Sequence, residues 1–272
     1  MNQAFKKPWR SASSIILLSK KTNRILMMKR GSTAKFMPNA LVFPGGVVDK
    51  SDQLSGTPER TCALRELFEE TGILFKASGK FESAEKNEEL SNLQDKTCSA
   101  PHFFEKAGAN GQEDMIHWNT WLTPTHHSQR FLTSFFLALV DDEPKVRMCT
   151  AEMSEYRWVA PEEPLRLAAS SKISLPPPQV YELTRIAQDI KWKGEEKISN
   201  VLPGDHLYIE EDCYHQASRT LEPQELQVQA EKSTHRIEFK TKPLWSDCKV
   251  YQHKLPTKYD FHSFDSHSSQ KV

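Results

Sequence analysis

Residues 43–75 read FPGGVVDKSDQLSGTPERTCALRELFEETGILF, and they are the most informative segment of the chain. Within it, Glu66, Glu69 and Glu70 stand at positions i, i+3 and i+4, which places all three carboxylates on one face of a helix. Like charges at this spacing weaken a helix by about 0.2–0.5 kcal/mol per pair. A hard divalent cation, Mg²⁺ or Mn²⁺, binds carboxylate oxygens and reverses that repulsion. We therefore predict a metal site on a helix that ends at Gly72, a residue suited to the left-handed position after a helix.

Two glycines precede the predicted helix in the sequence Pro44-Gly45-Gly46. Glycine lets the backbone turn tightly and bring a carbonyl oxygen close to a ligand. The segment would thus combine a backbone oxygen with three carboxylates, which is the donor set of a metal–diphosphate site. The alternative is a solvent-exposed acidic helix, and the glycines before the helix together with Thr71-Gly72-Ile73 after it argue against that alternative.

This stretch resembles the Nudix box, G-x5-E-x7-R-E-U-x-E-E-x-G-U, in which U is apolar. The second half of the pattern matches from Arg65 to Ile73. In the first half, Arg65 follows Gly46 by 19 positions where the pattern has 14, so five residues are inserted before the helix. Asp52, Glu59 or no residue at all takes the place of the first Glu of the box.

The resemblance implies an α/β fold, the Nudix α/β/α sandwich with a mixed β-sheet. We place the Nudix hydrolase domain at residues 8–195, with the box at about 45–73 and a polar insertion at about 77–115. A C-terminal extension follows at 196–272. The insertion and the extension are expected to pack outside the sandwich, and the tail is expected to be disordered.

Apolar patterning predicts the elements of this sheet. Ser14–Ser19 and Arg24–Arg30 are predicted to form a hairpin. Arg130–Val140 is predicted as a central strand and Tyr156–Val159 as a shorter one. A helix is expected from Gln179 to about Lys191, after a stiff run of three prolines.

Most of the chain resembles one branch of the family, the peroxisomal coenzyme A diphosphatases, whose box carries an insertion. The segments that carry this resemblance are Phe36–Pro38, Val42–Phe43, Gly45–Val47, Trp121–Pro124, Arg130–Leu137, Leu175–Gln179 and Leu202–Asp205. The resemblance implies hydrolysis of coenzyme A and acyl-coenzyme A to 3′,5′-ADP and 4′-phosphopantetheine or its acyl form. The alternative is a Nudix hydrolase of another nucleoside diphosphate derivative, such as ADP-ribose, a dinucleotide or a capped RNA.

The resemblance also implies roles for the box residues. Glu66, Glu69 and Glu70, with the carbonyl of Gly46, would hold Mg²⁺ or Mn²⁺. Glu66 or a later carboxylate would orient or deprotonate the attacking water. Arg65 would fix the glutamate carboxylates by bidentate pairing rather than touch the substrate.

Nudix enzymes often take a further acid from outside the box. Glu152 is the first candidate for a fourth metal-binding carboxylate in this chain. Asp141, Asp142 and Glu155 are the alternatives.

Basic residues upstream of the box would contact the substrate. Other coenzyme A Nudix enzymes carry a signature resembling L-L-T-x-R-[SA]-x3-R-x3-G-x3-F-P-G-G. Aligned on Phe43, the chain has Arg30 in register, Lys35 in place of Arg and Asn39 in place of Gly. We expect Arg30, Lys35 and Arg130 to contact phosphates, and the alternative for each is an ordinary surface or ion-paired base.

Composition excludes several function classes. Lys and Arg number 36 and Asp and Glu number 36, so zero formal charge argues against a nucleic-acid binder. No apolar run approaches the roughly 20 residues that span a bilayer. The five cysteines show no zinc-ligand spacing and are expected to be reduced thiols. The expected partner is a small molecule, coenzyme A or its thioesters.

The compartment is left open by the sequence. The family branch suggests the peroxisome, which is entered with a C-terminal signal of the Ser-Lys-Leu kind. The chain ends in Ser-Gln-Lys-Val, so a mitochondrial or cytoplasmic location is the alternative.

Overall fold

The computed structural model describes residues 9–54, 57–99, 101–123, 129–193, 204–210, 213–216, 236–240, 246–251 and 259–260. Internal contacts divide the chain into two units. The site unit comprises Arg10–Asn119 and Phe131–Val159, and the second unit comprises Met1–Trp9, Thr120–Arg130 and Ala160–Val272. The predicted tail disorder falls almost entirely outside the described residues.

The described elements occur in the following order. The helices are α1 Pro58–Thr71, α2 Glu88–Ser99, α3 Glu162–Ala169 and α4 Pro177–Lys193. The strands are β1 Arg10–Ser19, β2 Ile25–Arg30, β3 Leu41–Val42, β4 Gly45–Val47, β5 Ile73–Phe75, β6 Phe81–Ser83, β7 Ile116–Leu122, β8 Phe131–Val140, β9 Met153–Val159, β10 Gly204–Glu210, β11 Cys213–Gln216, β12 Arg236–Lys240, β13 Ser246–Tyr251 and β14 Tyr259–Asp260.

The site unit is built on a mixed sheet around β1. Strand β2 pairs antiparallel with β1, which confirms the predicted hairpin, and β8 pairs parallel with β1 on the other side. Strand β9 pairs antiparallel with β2. Because β1 is flanked on both edges and covered on both faces, Ile15–Leu18 are almost completely buried. The predicted central and shorter strands are therefore confirmed as β8 and β9.

Helix α1 carries the three glutamates and begins at Pro58, a residue favoured in the first turn of a helix. It ends at Gly72, whose φ of 67° lies in the left-handed region and whose N–H donates to the carbonyl of Phe68. The predicted end of the helix is confirmed. Leu67 and Phe68 are buried in the core of the site unit.

The insertion at 77–115 is not packed outside the core, so that prediction is wrong. Residues from this segment belong to the same buried apolar cluster as β1 and α1: Ala84, Leu90, Phe104, Ala107 and Met115. The rings of Phe68 and Phe104 lie 6.0 Å apart between centroids. The segment is polar on average, but these few apolar residues join the buried cluster that contains Leu64, Leu67 and Phe68 of α1.

The helix predicted from Gln179 to about Lys191 is present in the second unit as α4. Trp121 Nε1 donates to the buried carboxylate of Glu182 on this helix at 2.9 Å. Strands β10 to β14 pair antiparallel in sequence order. Among the described helices, none is both long enough and apolar enough to cross a membrane.

Candidate active site

The glycine pair lies against the glutamates of α1. Strand β4 pairs with β1, with Gly45 opposite Ser14 and Gly46 opposite Ser13. A Cβ atom on Gly46 would lie 2.2 Å from Glu66 Oε1, and one on Gly45 would lie 2.3 Å from the Ser13 carbonyl oxygen. Only glycine therefore allows the turn to approach both the sheet and the helix.

The backbone of the turn also binds a carboxylate directly. The N–H of Gly45 donates to Glu70 Oε2 at 3.2 Å. The carbonyl of Gly46 lies 3.7 Å from the Cys62 thiol, a weak donor. The turn thus holds one glutamate by hydrogen bonding and packs against another.

Arg65 and Asp52 form a buried ion pair beside this turn, with 2% and 1% of each residue exposed. Arg65 Nε donates to Asp52 Oδ1 at 2.9 Å and Nη2 donates to Oδ2 at 3.0 Å. The structure thereby decides among the alternatives for the first acid of the box in favour of Asp52. Asp52 follows Gly46 at the G-x5-E spacing of the Nudix box, so the five inserted residues lie between Asp52 and α1. This spacing is the sequence signal by which Asp52 could have been identified as the first acid of the box.

The remaining donors of Arg65 organise the glutamates. Nη1 donates to Glu66 Oε1 at 2.9 Å and to Glu69 Oε2 at 3.1 Å, and Nη2 also donates to the Val47 carbonyl at 3.0 Å. Burial alone would lower the pKa of Arg65, but the adjacent carboxylates raise it above its ordinary value. Arg65 is thus a permanently charged positioning residue whose N–H groups all point to protein acceptors.

Three ionised glutamates would carry more negative charge than Arg65 neutralises, and their pKa values are accordingly raised. Burial, and then repulsion from Glu66, raises the pKa of Glu70 well above its ordinary value. Burial raises the pKa of Glu69 to about 8, against the opposing charge of Arg65. Burial likewise raises the pKa of Glu66. Carboxyl groups whose pKa values are raised by burial and by neighbouring charges are common at functional sites.

The charge of Glu152 acts on these three glutamates. This residue precedes β9, its side chain is exposed, and its carbonyl accepts the N–H of Gly31 at 2.9 Å. Its negative charge raises the pKa of Glu66, Glu69 and Glu70 alike. The metal-binding role of Glu152 stays a prediction.

The alternative acids are engaged elsewhere. Asp141 pairs with Lys20, and Asp142 pairs with Lys21 at 2.7 Å, at the end of β1 away from the glycine turn. Glu155 pairs with Arg157 on β9.

Arg30 is a predicted phosphate-binding residue whose charge acts on one of the glutamates. It ends β2, its charge lowers the pKa of Glu70, and its Nε is buried without a hydrogen-bond partner. Lys35 lies exposed in the following loop. In the same loop Asn39 has a φ of 60°, in the left-handed region that glycine adopts freely and that Asn tolerates better than most other residues.

Arg130 belongs to the second unit and is buried there. Its Nε donates to the Thr123 carbonyl at 2.9 Å, and its guanidinium lies 5.7 Å from the centre of the Trp9 ring. These are contacts of a structurally held arginine, and its phosphate-binding role stays a prediction.

A divalent cation fits the donor chemistry of the site. Within the described part of the chain, no three His, Cys, Asp or Glu side chains already converge as metal ligands, because the glutamates point to Arg65 and Gly45. However, Glu69 Oε1 is buried with no hydrogen-bond partner. A cation between Glu66, Glu69 and Glu70 would satisfy that oxygen and neutralise the surplus charge.

Comparisons with known proteins point to one group of enzymes. Residues 55–186 match the family described as the NUDT19 Nudix domain. A Caenorhabditis elegans protein named "Putative nudix hydrolase 7" is 42% identical over 96% of each chain. The proteins named "Acyl-coenzyme A diphosphatase NUDT19" from Xenopus laevis and Homo sapiens are 28% and 26% identical. They match 69% and 84% of this chain and 72% and 88% of their own.

A solved structure shows the same fold. The crystal structure of a NUDIX hydrolase from Alicyclobacillus acidocaldarius superposes with a TM-score of 0.58 at 20% identity. The match covers 67% of this chain and 92% of that chain.

Proposed function

Because the chain belongs to the Nudix hydrolase family, and so is an enzyme that acts on pyrophosphate bonds, we propose that its substrates are coenzyme A and acyl-coenzyme A. The products would be 3′,5′-ADP and 4′-phosphopantetheine or its acyl form. The predicted fold, the α/β/α sandwich with a mixed sheet, is confirmed.

One observation carries the hydrolase part of the proposal. Glu66, Glu69 and Glu70 are held on one face of α1 by the Arg65–Asp52 pair and by the glycine turn. Nudix enzymes generally act with divalent metal ions, and we propose that Mg²⁺ or Mn²⁺ binds here. The ion would neutralise the charge of a diphosphate and acidify a water.

Each residue of the site has a role in this proposal. Glu66, Glu69 and Glu70 bind the cation, and the Gly46 carbonyl and Glu152 complete its oxygen donors. Arg65 keeps the carboxylates in place without contacting the substrate.

The coenzyme A part rests on two supports. Relatives whose printed names include acyl-coenzyme A diphosphatase match most of the chain. In addition, the charge of Arg30, at the end of β2, lowers the pKa of Glu70, and Asn39 has a positive φ at the position where the coenzyme A signature has glycine. Arg30, with Lys35, would supply positive charge to the diphosphate or to the 3′-phosphate of the ribose.

A substrate panel tests the proposal. The purified chain is incubated with coenzyme A, acetyl-coenzyme A, 3′-dephospho-coenzyme A, ADP-ribose, diadenosine tetraphosphate and a capped RNA, with Mg²⁺ or Mn²⁺ and with EDTA. We expect metal-dependent release of 3′,5′-ADP from the first two. Faster turnover of ADP-ribose, the dinucleotide or the cap would overturn the proposed specificity, and Glu70→Gln is the inactive control.

A further inference from the structure

The last turn of α1 carries two of the three proposed metal ligands, Glu69 and Glu70. The carbonyl oxygens of a last turn have no partners within the helix, and such an end frays unless other groups donate to them. Helix α1 ends at Thr71, so the carbonyls of Glu69, Glu70 and Thr71 all need donors from elsewhere. The positions of the two glutamate side chains therefore depend on what caps this turn.

Backbone groups of the loop before β9 cap two of the three carbonyls. The N–H of Cys149 donates to the Glu70 carbonyl at 3.0 Å, and the N–H of Arg147 donates to the Thr71 carbonyl at 2.8 Å. Both donors belong to the main chain, so they hold the turn only as long as the loop itself is held in place.

Gln94 of α2 caps the third carbonyl. Its Nε2 donates to the Glu69 carbonyl at 3.0 Å and also to the Arg147 carbonyl at 2.9 Å. Its Oε1 accepts a hydrogen bond from Arg147 Nη1 at 2.8 Å. The Cys98 thiol, a weak donor, also approaches the Glu69 carbonyl, at 3.4 Å. Gln94 therefore provides the strong side-chain hydrogen bond to this carbonyl and joins the end of the helix to the loop.

The amide of Gln94 is buried against the end of α1. The residue has no exposed surface, and both polar atoms of its side chain have partners. A Cβ atom on Gly72, the residue that ends the helix, would lie 2.9 Å from Gln94 Oε1 and 3.2 Å from Arg147 Cβ. The end of α1 thus packs directly on the two residues that cap it.

We propose that Gln94 is a positioning residue of the metal site, which fixes the backbone from which Glu69 and Glu70 project. This role rests on the proposed function of these glutamates as metal ligands. Without the amide, two buried carbonyls would lose a donor, and an unsatisfied buried acceptor is costly enough to favour opening of the turn. The polar insertion would then contribute to the site as well as to the core.

Two substitutions test this role in the full chain. Gln94→Glu and Gln94→Met both keep the length of the side chain and remove its N–H donors, and only Gln94→Glu adds a charge. Gln112→Glu makes the same chemical change in the insertion where the side chain contacts the first turn of α1, with Gln112 Nε2 donating to Thr61 Oγ1 at 3.3 Å. This variant is the matched control.

Hydrogen–deuterium exchange followed by mass spectrometry measures opening of the last turn without metal or substrate. We expect peptides that contain residues 67–72 to exchange at least 10-fold faster in both Gln94 variants than in the natural chain or in Gln112→Glu. Peptides from β1 should exchange equally in all four proteins. If Gln94→Glu fails to fold, Gln94→Met decides, and unchanged exchange at the end of α1 in that variant would overturn the inference.

Electron paramagnetic resonance of Mn²⁺ measures the consequence for the site. We expect a several-fold loss of Mn²⁺ affinity in the Gln94 variants and none in Gln112→Glu. For the substrate that the panel identifies, kcat should fall while KM changes little. A residue that only stabilises the fold would lower the melting temperature and leave Mn²⁺ affinity and kcat unchanged, and this result would also overturn the inference.

Failure of the proposed metal function would look different. The natural chain itself would then not bind Mn²⁺, whereas exchange of the last turn would still respond to Gln94→Met. That combination would overturn the positioning role and leave Gln94 as a cap of α1 alone.

Discussion

Asp52 and Arg65 form two parallel hydrogen bonds, Oδ1 to Nε at 2.9 Å and Oδ2 to Nη2 at 3.0 Å, and both residues are buried. The pair joins the end of the glycine turn to the helix that carries the glutamates. The position of Arg65 therefore depends on Asp52, and the positions of Glu66 and Glu69 depend on Arg65.

Asp52→Asn should therefore lower both stability and turnover. The variant loses the carboxylate charge that faces the buried guanidinium, while Glu66 and Glu69 still compensate part of the Arg65 charge. The free energy of unfolding should therefore fall by about 1.5–3 kcal/mol. Urea unfolding measures the loss, and steady-state kinetics should show a fall in kcat larger than any change in KM. Asp52→Glu should restore part of the turnover. Asp141→Asn, which breaks an exposed pair, is the matched control, and an equal loss in both variants would contradict the prediction.

Gly46→Ala should lower turnover by about 10²-fold, because the added methyl would lie 2.2 Å from Glu66 Oε1 and displace a reacting-site carboxylate. Coenzyme A turnover and Mn²⁺ affinity are the measurements. Gly108→Ala is the control, since its methyl meets no atom within 4 Å although its φ of 69° makes alanine slightly strained there. Gly108→Ala should lose some thermal stability and keep its turnover. Normal turnover in Gly46→Ala would show that the glycine turn is not part of the active site.

The metal-free protein should become less stable as the pH rises from about 5 to 9. Burial raises the pKa of Glu69 to about 8 from an ordinary 4.5. The folded state therefore binds more protons than the unfolded state between these values, and the stability gained at low pH is lost as the pH rises through the folded pKa. Melting temperatures in EDTA at pH 5, 7 and 9 measure this loss.

Glu69→Gln should flatten that pH dependence, because the neutral amide does not titrate. Saturating Mn²⁺ should also flatten it in the natural chain, since the ion stabilises the ionised carboxylates. An unchanged slope in Glu69→Gln would show that the carboxyl group of Glu69 ionises normally.

Arg30→Ala should reduce kcat/KM for coenzyme A by about 10-fold to 100-fold, because a cation beside Glu70 would no longer meet a substrate phosphate. Arg30→Lys should recover part of the loss by retaining the charge. Arg24→Ala changes an exposed arginine at the other end of β2 and should leave the rate unchanged. Equal values of kcat/KM for Arg30→Ala and Arg24→Ala would show that Arg30 does not contact the substrate.

Phe104→Ala should destabilise the site unit by about 3–5 kcal/mol, as expected for a large buried ring that leaves a cavity. Phe104 is 6% exposed and packs near Phe68 of α1. Glu105→Ala, an exposed neighbour, should be neutral in the same urea titration. A neutral Phe104→Ala would support the original expectation that the insertion packs outside the core.

The glutamate face could be predicted because its information is local. Spacings of three and four residues place Glu66, Glu69 and Glu70 together on any helix, and Gly72 marks the end of that helix by its own backbone preference. The strands could be predicted for the same reason, since period and β-branching are visible in short windows.

The partner of Arg65 and the role of the insertion could not be predicted with the same certainty. Asp52 and Arg65 are separated by an inserted segment, and only the folded backbone shows that the segment leaves their pairing intact. Phe104 and Met115 lie in a polar region whose average composition hides a few core residues. Both cases depend on contacts distant in sequence, which local patterns do not record.

The parallel pairing of β1 with β8 has a consequence during protein synthesis. Ser14 is opposite Phe135 and Ser19 is opposite Val140, so β1 lacks one neighbour until the nascent chain has been extended past Val140. Until then the apolar run Ile15–Leu18 lacks its β8 partner, and such a long-range pairing slows folding and lengthens the time in which an incomplete sheet can be captured by a chaperone. Any fragment cut to isolate residues 43–75 would discard the strand that completes the sheet.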